Sequence, residues 1–293
     1  MAKFVFSAFA DEAGVSLEEQ IQALVDNGIR YIEPRNIGGK SIIDFTDEEI
    51  LEIKNRLAEN GITVGSVGSP IGKYPITDDF ESYIPKVKRT IEIAKLLGTK
   101  YIRMFSFFVK QNELAQYRDE VIRRLKAMVE IAKENDVILC HENESEIYGQ
   151  MPAEVRDILE NVEGLGGIFD PANYRMNNAD ILDGISATLT NFKYMHIKDA
   201  IYDIQTIVPA GEGEGKIAEV IDIVNNHTDD LVYLTLEPHL FAFLAYKQID
   251  NHELKGNYTF ENGREAFDFA VKALSDLLTK QGYRKDSMGI WKK

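Results

Sequence analysis

The chain has 293 residues, 44% of them hydrophobic, and a formal net charge of −15 at pH 7. That apolar share is enough for a full core, and the acidity works against binding nucleic acid or an anionic membrane surface. A single cysteine, Cys140, excludes an intrachain disulfide and a cysteine-rich zinc site, and its place inside an apolar strand predicts an inert core thiol. The N-terminus has no long apolar segment and no cleavage site, so no signal peptide and no membrane span are expected, and the expected location is cytoplasmic.

Residues 4–9 alternate into a first strand that ends at Ala10-Asp11-Glu12. Ser16 then opens a helix, with Glu19 completing a capping box, and Asn27-Gly28 closes it. Strand two, 30–33, ends in Glu33-Pro34-Arg35. Thr46 caps a helix over 47–59, closed by Asn60-Gly61. Strand three covers 62–67, a helix covers 83–97 and stops at Gly98, and strand four covers 100–104. A long helix over about 112–135 leads into strand five, 137–142. Pro152 starts a short helix that runs to 161, and strand six covers 165–170. A helix over 179–188 precedes strand seven, 192–196. Residues 209–215, Pro-Ala-Gly-Glu-Gly-Glu-Gly, read as a flexible loop. A helix over 216–226, strand eight over 231–237 and a helix over 261–279 complete the series.

Eight strand–helix alternations predict an α/β chain with a parallel sheet closed into a (β/α)8 barrel, its active site at the C-terminal ends of the strands. No composition break marks a second domain. Residues 1–293 read as one domain, with the barrel at about 4–279 and a basic tail at about 280–293. That tail carries the only tryptophan, Trp291, and either docks on the barrel or a partner subunit or is disordered.

Strands five to eight end in Cys-His-Glu-Asn-Glu (140–144), Ile-Phe-Asp-Pro-Ala-Asn-Tyr (168–174), Met-His-Ile-Lys-Asp-Ala (195–200) and Leu-Glu-Pro-His (236–239). Adjacent strands lie about 4.8 Å apart, so in a closed barrel Glu142, Asp170, His196 and Glu237 converge. Three carboxylates and one imidazole make an oxygen-rich, hard site suited to Mn²⁺ or Mg²⁺, with Zn²⁺, Co²⁺ or Fe²⁺ as alternatives. Mn²⁺ is the first expectation.

The order Glu-Asn, Asp-x-x-Asn, His-x-Lys-Asp and Leu-Glu-Pro-His resembles the xylose isomerase-like TIM barrel superfamily. This group of sugar phosphate isomerases and epimerases includes tagatose/psicose 3-epimerases, inosose dehydratases and endonuclease IV. The resemblance implies that Glu142, Asp170, His196 and Glu237 are the shared metal ligands. In its epimerase branch Glu142 and Glu237 would also be the catalytic acid/base pair. Epimerising a carbon beside a carbonyl removes a proton from one face and returns one to the other through a metal-stabilised enediolate. The implied function is a divalent-metal-dependent isomerase or epimerase of a sugar or sugar derivative. The alternatives are an inosose or keto-sugar dehydratase and a sugar- or polyol-binding barrel without turnover.

The chain departs from the tagatose/psicose branch, which often has His where Asn173 stands and Arg shortly after the ligand His, where the run is Lys198-Asp199-Ala200. This argues against a free ketohexose. The endonuclease cluster needs further His ligands, and strands three and four end without them. Asn173, Lys198, His239, Arg103 and Glu33 are candidate substrate contacts. Glu33 is expected to pair with Arg35 across the rim, and His239 to orient a substrate or a carboxylate behind the ligands. His141 alternates away from the lumen. The apolar run 241–246 is read as a cover over the site, faced by Phe105, Phe107 and Phe108. Oligomers are compatible with such barrels, so a homo-oligomer is admitted.

Overall fold

The computed structural model describes residues 1–241 and 258–293. The parallel strands are β1 (Lys3–Ala8), β2 (Tyr31–Ile32), β3 (Thr63–Val64, resumed as Ser66–Val67), β4 (Tyr101–Met104), β5 (Ile138–Glu142), β6 (Gly166–Phe169), β7 (Phe192–Ile197) and β8 (Leu231–Leu236). One continuous sheet runs β1, β8, β7, β6, β5, β4 and the second half of β3. The first half of β3 pairs with β2, Tyr31 against Thr63, and the second half with β4, Ser66 against Tyr101. The Glu33 amide donates to the Ala8 carbonyl at 3.0 Å, which ties β2 to β1 and closes the ring. The result is a (β/α)8 barrel. Gly65 divides β3 where a Cβ would meet the Tyr233 ring at 3.2 Å.

The helices are α1 (Leu17–Asp26), α2 (Asp47–Glu59), α3 (Ile84–Leu97), α4 (Leu114–Lys133), α5 (Pro152–Asn161), α6 (Pro171–Met176), α7 (Ile181–Thr188), α8 (Ile217–His227) and α9 (Gly263–Lys280). The capping boxes at Ser16 and Thr46 are both formed. Gly98 takes the left-handed conformation that ends α3, φ +83. The helices lay their apolar faces on the outside of the sheet and form the main core. Inside the barrel lies a smaller layer of Cys140, Ile168 and Tyr194, with Tyr101, Ile138 and Tyr233 packed against it.

That inner layer positions the site. Side chains two residues apart on a strand share a face. Glu142, Asp170 and His196 each lie two residues beyond Cys140, Ile168 and Tyr194, and Glu237 lies four beyond Tyr233. Alternation therefore lifts all four into the barrel mouth, directly over the inner layer.

Three local features differ from expectation. Residues 171–176 form α6 because Pro171 fits the first helical position and the Asp170 carboxylate accepts the Asn173 amide at 2.8 Å. An antiparallel hairpin, Asp199–Ile201 with Thr206–Val208, follows β7. The glycine-rich loop is anchored: the amides of Gly211, Gly213 and Gly215 donate to the Asp199 carboxylate at 2.9, 3.1 and 2.8 Å. A Cβ at Gly213 would lie 2.3 Å from Asp199 Oδ1, so only glycine permits this approach.

The tail docks on the barrel. Arg284–Lys285 and Trp291–Lys292 form a hairpin. Trp291 pairs antiparallel with Phe4 of β1 and stacks on Phe6, ring centroids 5.6 Å apart. Apart from Phe241, the run 241–246 read as a cover lies outside the described residues. Among the described residues no helix is long and apolar enough to cross a membrane.

Candidate metal centre

Glu142, Asp170, His196 and Glu237 are all buried, and each offers one ligand atom within 4.8 Å of the others. Donors bound at about 2.1 Å to one ion lie no more than about 4.2 Å apart, so a slight contraction would suit a single cation. His196 Nδ1 stands 2.9 Å from Glu142 Oε1 and 3.4 Å from Glu237 Oε2. Asp170 Oδ2 makes no hydrogen bond of good geometry, although Lys198 Nζ is 3.1 Å away. A buried carboxylate oxygen left in this state, beside an imidazole turned edge-on to two more carboxylates, fits a hard divalent cation.

The surrounding residues hold these groups in place. Asn143 Nδ2 donates to the Asp170 carbonyl, and the Asp170 amide donates back to Asn143 Oδ1, both at 2.9 Å. Asn173 Nδ2 reaches the Asn143 carbonyl at 2.9 Å and Glu142 Oε1 at 3.4 Å. Arg103 Nη1 is 3.3 Å from Glu142 Oε2. Lys198 Nζ lies 3.4 Å from Glu237 Oε2. His239 Nε2 is 3.4 Å from Glu237 Oε1 and 3.5 Å from Glu12 Oε1.

Arg35 departs from the expected pairing with Glu33. Its ion pairs run to Asp11 at 3.0 Å, Glu12 at 3.3 Å and Glu237 at 2.9 Å. Glu33 instead accepts the Tyr194 hydroxyl at 2.9 Å and faces His196 Nε2 at 3.5 Å. The guanidiniums of Arg35 and Arg103 both lie over the Phe9 ring, at 4.3 and 4.8 Å, and that ring meets His196 edge-on at 5.1 Å. Asp11, Glu12 and Phe9 were not legible as site residues. Their only signal is that a run of polar residues ends strand one.

Glu12, Glu237 and His239 form a second trio within 4.8 Å. There the Arg35 guanidinium already supplies the positive charge, touching both Glu12 and Glu237. The two clusters share Glu237, and they differ in that Arg35 bridges two members of the second, whereas in the first Asp170 Oδ2 keeps no hydrogen bond of good geometry.

Burial opposes every charge here, and neighbours decide which survive. Burial alone would raise Glu142, but His196 and Arg103 bring it down to about 2. Glu237 is held well below the usual carboxylate range against burial by Lys198, His196 and His239. Burial lifts Asp170 to about 7 despite Lys198, and lifts Glu12 to about 7 despite His239 and Arg35. His196 is raised well above its ordinary value, because Glu142, Glu237 and Glu33 outweigh burial. Without an added cation, the His196 imidazolium joins Arg103 and Lys198 in balancing the carboxylates.

A family model described as xylose isomerase-like TIM barrel matches residues 21–249. Solved structures agree in fold. The probable 3-DHS dehydratase AsbF of Bacillus anthracis is 17% identical, with 94% of this chain and 99% of that chain covered and a TM-score of 0.70. An IolI protein with a binding zinc atom is 16% identical over 95% and 99%, with a TM-score of 0.72. A D-psicose 3-epimerase with D-tagatose from Clostridium cellulolyticum is 15% identical over 94% and 98%, with a TM-score of 0.69. No curated protein sequence matches significantly. The chain belongs to the xylose isomerase-like TIM barrel family.

Proposed function

We propose that this xylose isomerase-like barrel is a divalent-metal-dependent isomerase or epimerase acting on a sugar or sugar derivative. The observation that carries the reading is the convergence of Glu142, Asp170, His196 and Glu237, with ligand atoms all within 4.8 Å, at the mouth of a family barrel. A bound divalent ion would polarise the substrate carbonyl and stabilise the negative charge that develops on it. Mn²⁺ is the first candidate, because the donor set is mainly carboxylate; Zn²⁺, Co²⁺, Mg²⁺ and Fe²⁺ suit it as well.

Glu142 and Glu237 are the catalytic pair in this reading. Both are ionised at neutral pH by their cationic neighbours, so either begins as a base. One takes the proton next to the carbonyl and leaves an enediolate. The proton returned on the other face must therefore enter through a protonated neighbour of the second carboxylate. Lys198 Nζ lies 3.4 Å from Glu237 Oε2 and supplies that route. Asn173 and Arg103 keep Glu142 oriented.

A dehydratase is the second reading, favoured by Lys198. Its ammonium sits in the mouth between Asp170 and Glu237 and can protonate a departing hydroxyl. AsbF, a probable 3-DHS dehydratase, shares the fold. The test is incubation of the metal-loaded protein with keto-sugars and inososes in D₂O. Deuterium incorporated with no change in composition supports the isomerase or epimerase. A product lighter by one water supports the dehydratase. Tight binding with no exchange and no product leaves a binding barrel.

A further inference from the structure

We propose that Glu33 is the positioning residue of the metal centre, fixing His196 so that Nδ1 faces the ion and Nε2 carries the proton. The inference rests on the proposed metal site and adds a residue at the end of β2, a strand that contributes no ligand.

The imidazole has two unlike sides. Nδ1 faces two of the ligand carboxylates, 2.9 Å from Glu142 Oε1 and 3.4 Å from Glu237 Oε2. Nε2 faces away from them and toward Glu33 Oε2 at 3.5 Å. Both residues are fully buried, and among the described residues neither Nε2 nor Glu33 Oε2 has a hydrogen-bond partner. A separation of 3.5 Å exceeds the usual N–H···O distance of about 2.9 Å. Yet a buried donor and acceptor that face each other are costly to leave unpaired, so the pair is under pressure to close.

Glu33 is itself anchored from below. Its Oε1 accepts the Tyr194 hydroxyl at 2.9 Å, and that hydroxyl lies 2.7 Å from Ser66 Oγ. Because the tyrosine proton goes to Glu33, Ser66 donates to the tyrosine oxygen. Phe9 meets the imidazole edge-on and limits its rotation. Ser66, Tyr194, Glu33 and His196 therefore form one buried line from the inner layer to the ligand. A neutral histidine carries one ring proton. With that proton held on Nε2 by a carboxylate, the Nδ1 lone pair is committed to the cation and its basicity rises. Fully buried behind the ring, Glu33 serves the ligand rather than the substrate.

The test uses Zn²⁺ on the full chain and two readouts. Zinc affinity is measured by calorimetry for the wild type and Glu33→Gln, with unfolding of the metal-free forms followed alongside. The isosteric amide is expected to weaken zinc binding about 10- to 100-fold. A change of less than about threefold in a folded variant overturns the proposal. The second readout needs no variant: ¹⁵N–¹H correlation spectra of histidine-labelled, zinc-loaded wild type, with His196 assigned by its loss in His196→Gln. Supporting spectra show Nε2 protonated and Nδ1 without a proton. A proton on Nδ1, or metal on Nε2, overturns the proposal even if Glu33→Gln fails to fold. If the wild type takes up no zinc or other divalent ion, the metal reading itself falls, and Glu33 falls with it.

Discussion

Asn143 and Asp170 hold each other across two adjacent strands by a reciprocal pair of hydrogen bonds, side chain to carbonyl and amide to side chain, both 2.9 Å. Asn143 touches only the main chain of Asp170, yet that main chain sets where the carboxylate points. Asn143→Ala leaves the buried Asp170 amide unpaired, at about 1–3 kcal/mol, and its carbonyl with only the Tyr174 amide at 3.5 Å. Chemical denaturation should show that loss. Zinc titration should show weaker binding, although no proposed ligand has been altered. Unchanged affinity would mean that α6 alone fixes Asp170.

The Asp199 carboxylate gathers three glycine amides of the 209–215 loop. Burial raises its pKa, and those hydrogen bonds pull it down. Asp199→Asn turns an amide group toward N–H donors and removes charge-assisted bonds, each worth about 1.5–3 kcal/mol. Cleavage at Glu212 or Glu214 by a glutamate-specific protease should become fast in the variant and stay slow in the wild type. Equal rates would show that the turn persists without the anchor.

Cys140 is fully buried in the inner layer, and burial pushes its thiol far up. A thiol reagent should find none in the native protein and one equivalent per chain in denaturant. Rapid native labelling would mean that the barrel interior opens readily.

His141 carries a pH signature. Burial lowers its pKa from 6.5 to about 4, and a cation on neighbouring Glu142 would act in the same direction. The unfolded chain then binds the extra proton as pH falls below 6.5, and stability drops until about 4. In His141→Gln this dependence is absent. The stability gap between wild type and variant should therefore move in the variant's favour by about 3 kcal/mol from pH 7.5 to 4. A constant gap would mean that His141 takes up its proton in the fold as readily as in the unfolded chain.

Chelation gives the broadest check. Removing metal should lower the melting temperature, and adding Zn²⁺ or Mn²⁺ at 100 times its dissociation constant should restore about 2.7 kcal/mol. Glu237→Gln should abolish that gain together with turnover. A melting curve indifferent to both ions would remove the metal from the proposed function.

The sequence carried the barrel because its signals are local. Ser16 with Glu19, Thr46 with Glu49 and Pro152 at its first helical turn mark starts that nearby atoms enforce. The four mouth residues were legible for the same reason, since strand alternation alone lifts them above Cys140, Ile168, Tyr194 and Tyr233. What escaped depends on distance along the chain. Arg35 meets Glu237 across 202 positions, and Glu33 meets Tyr194 across 161. No spacing rule links such residues, so neighbouring Glu33 and Arg35 looked like partners. The second role of Asp170, as the cap of α6, is hidden for another reason: in Asp-Pro-Ala-Asn the same carboxylate serves as a ligand candidate and as a helix start. Gly211, Gly213 and Gly215 do alternate visibly, but the need for glycine comes from Asp199, facing Gly213 and Gly215 from the hairpin, and from the left-handed φ of +89 at Gly211.

The β1–β2 junction has a kinetic consequence. β1 meets β2 through the Glu33 amide on the Ala8 carbonyl, and below that point it pairs with Trp291 of the C-terminal hairpin at Phe4. Helix caps and neighbouring strand pairs can form early from nearby residues, whereas Phe4 and Trp291 stand at opposite ends of the sequence. Loop-closure entropy defers such long-range contacts. Refolding should therefore end with a slow phase in which the lone tryptophan's fluorescence changes after helix content has already recovered.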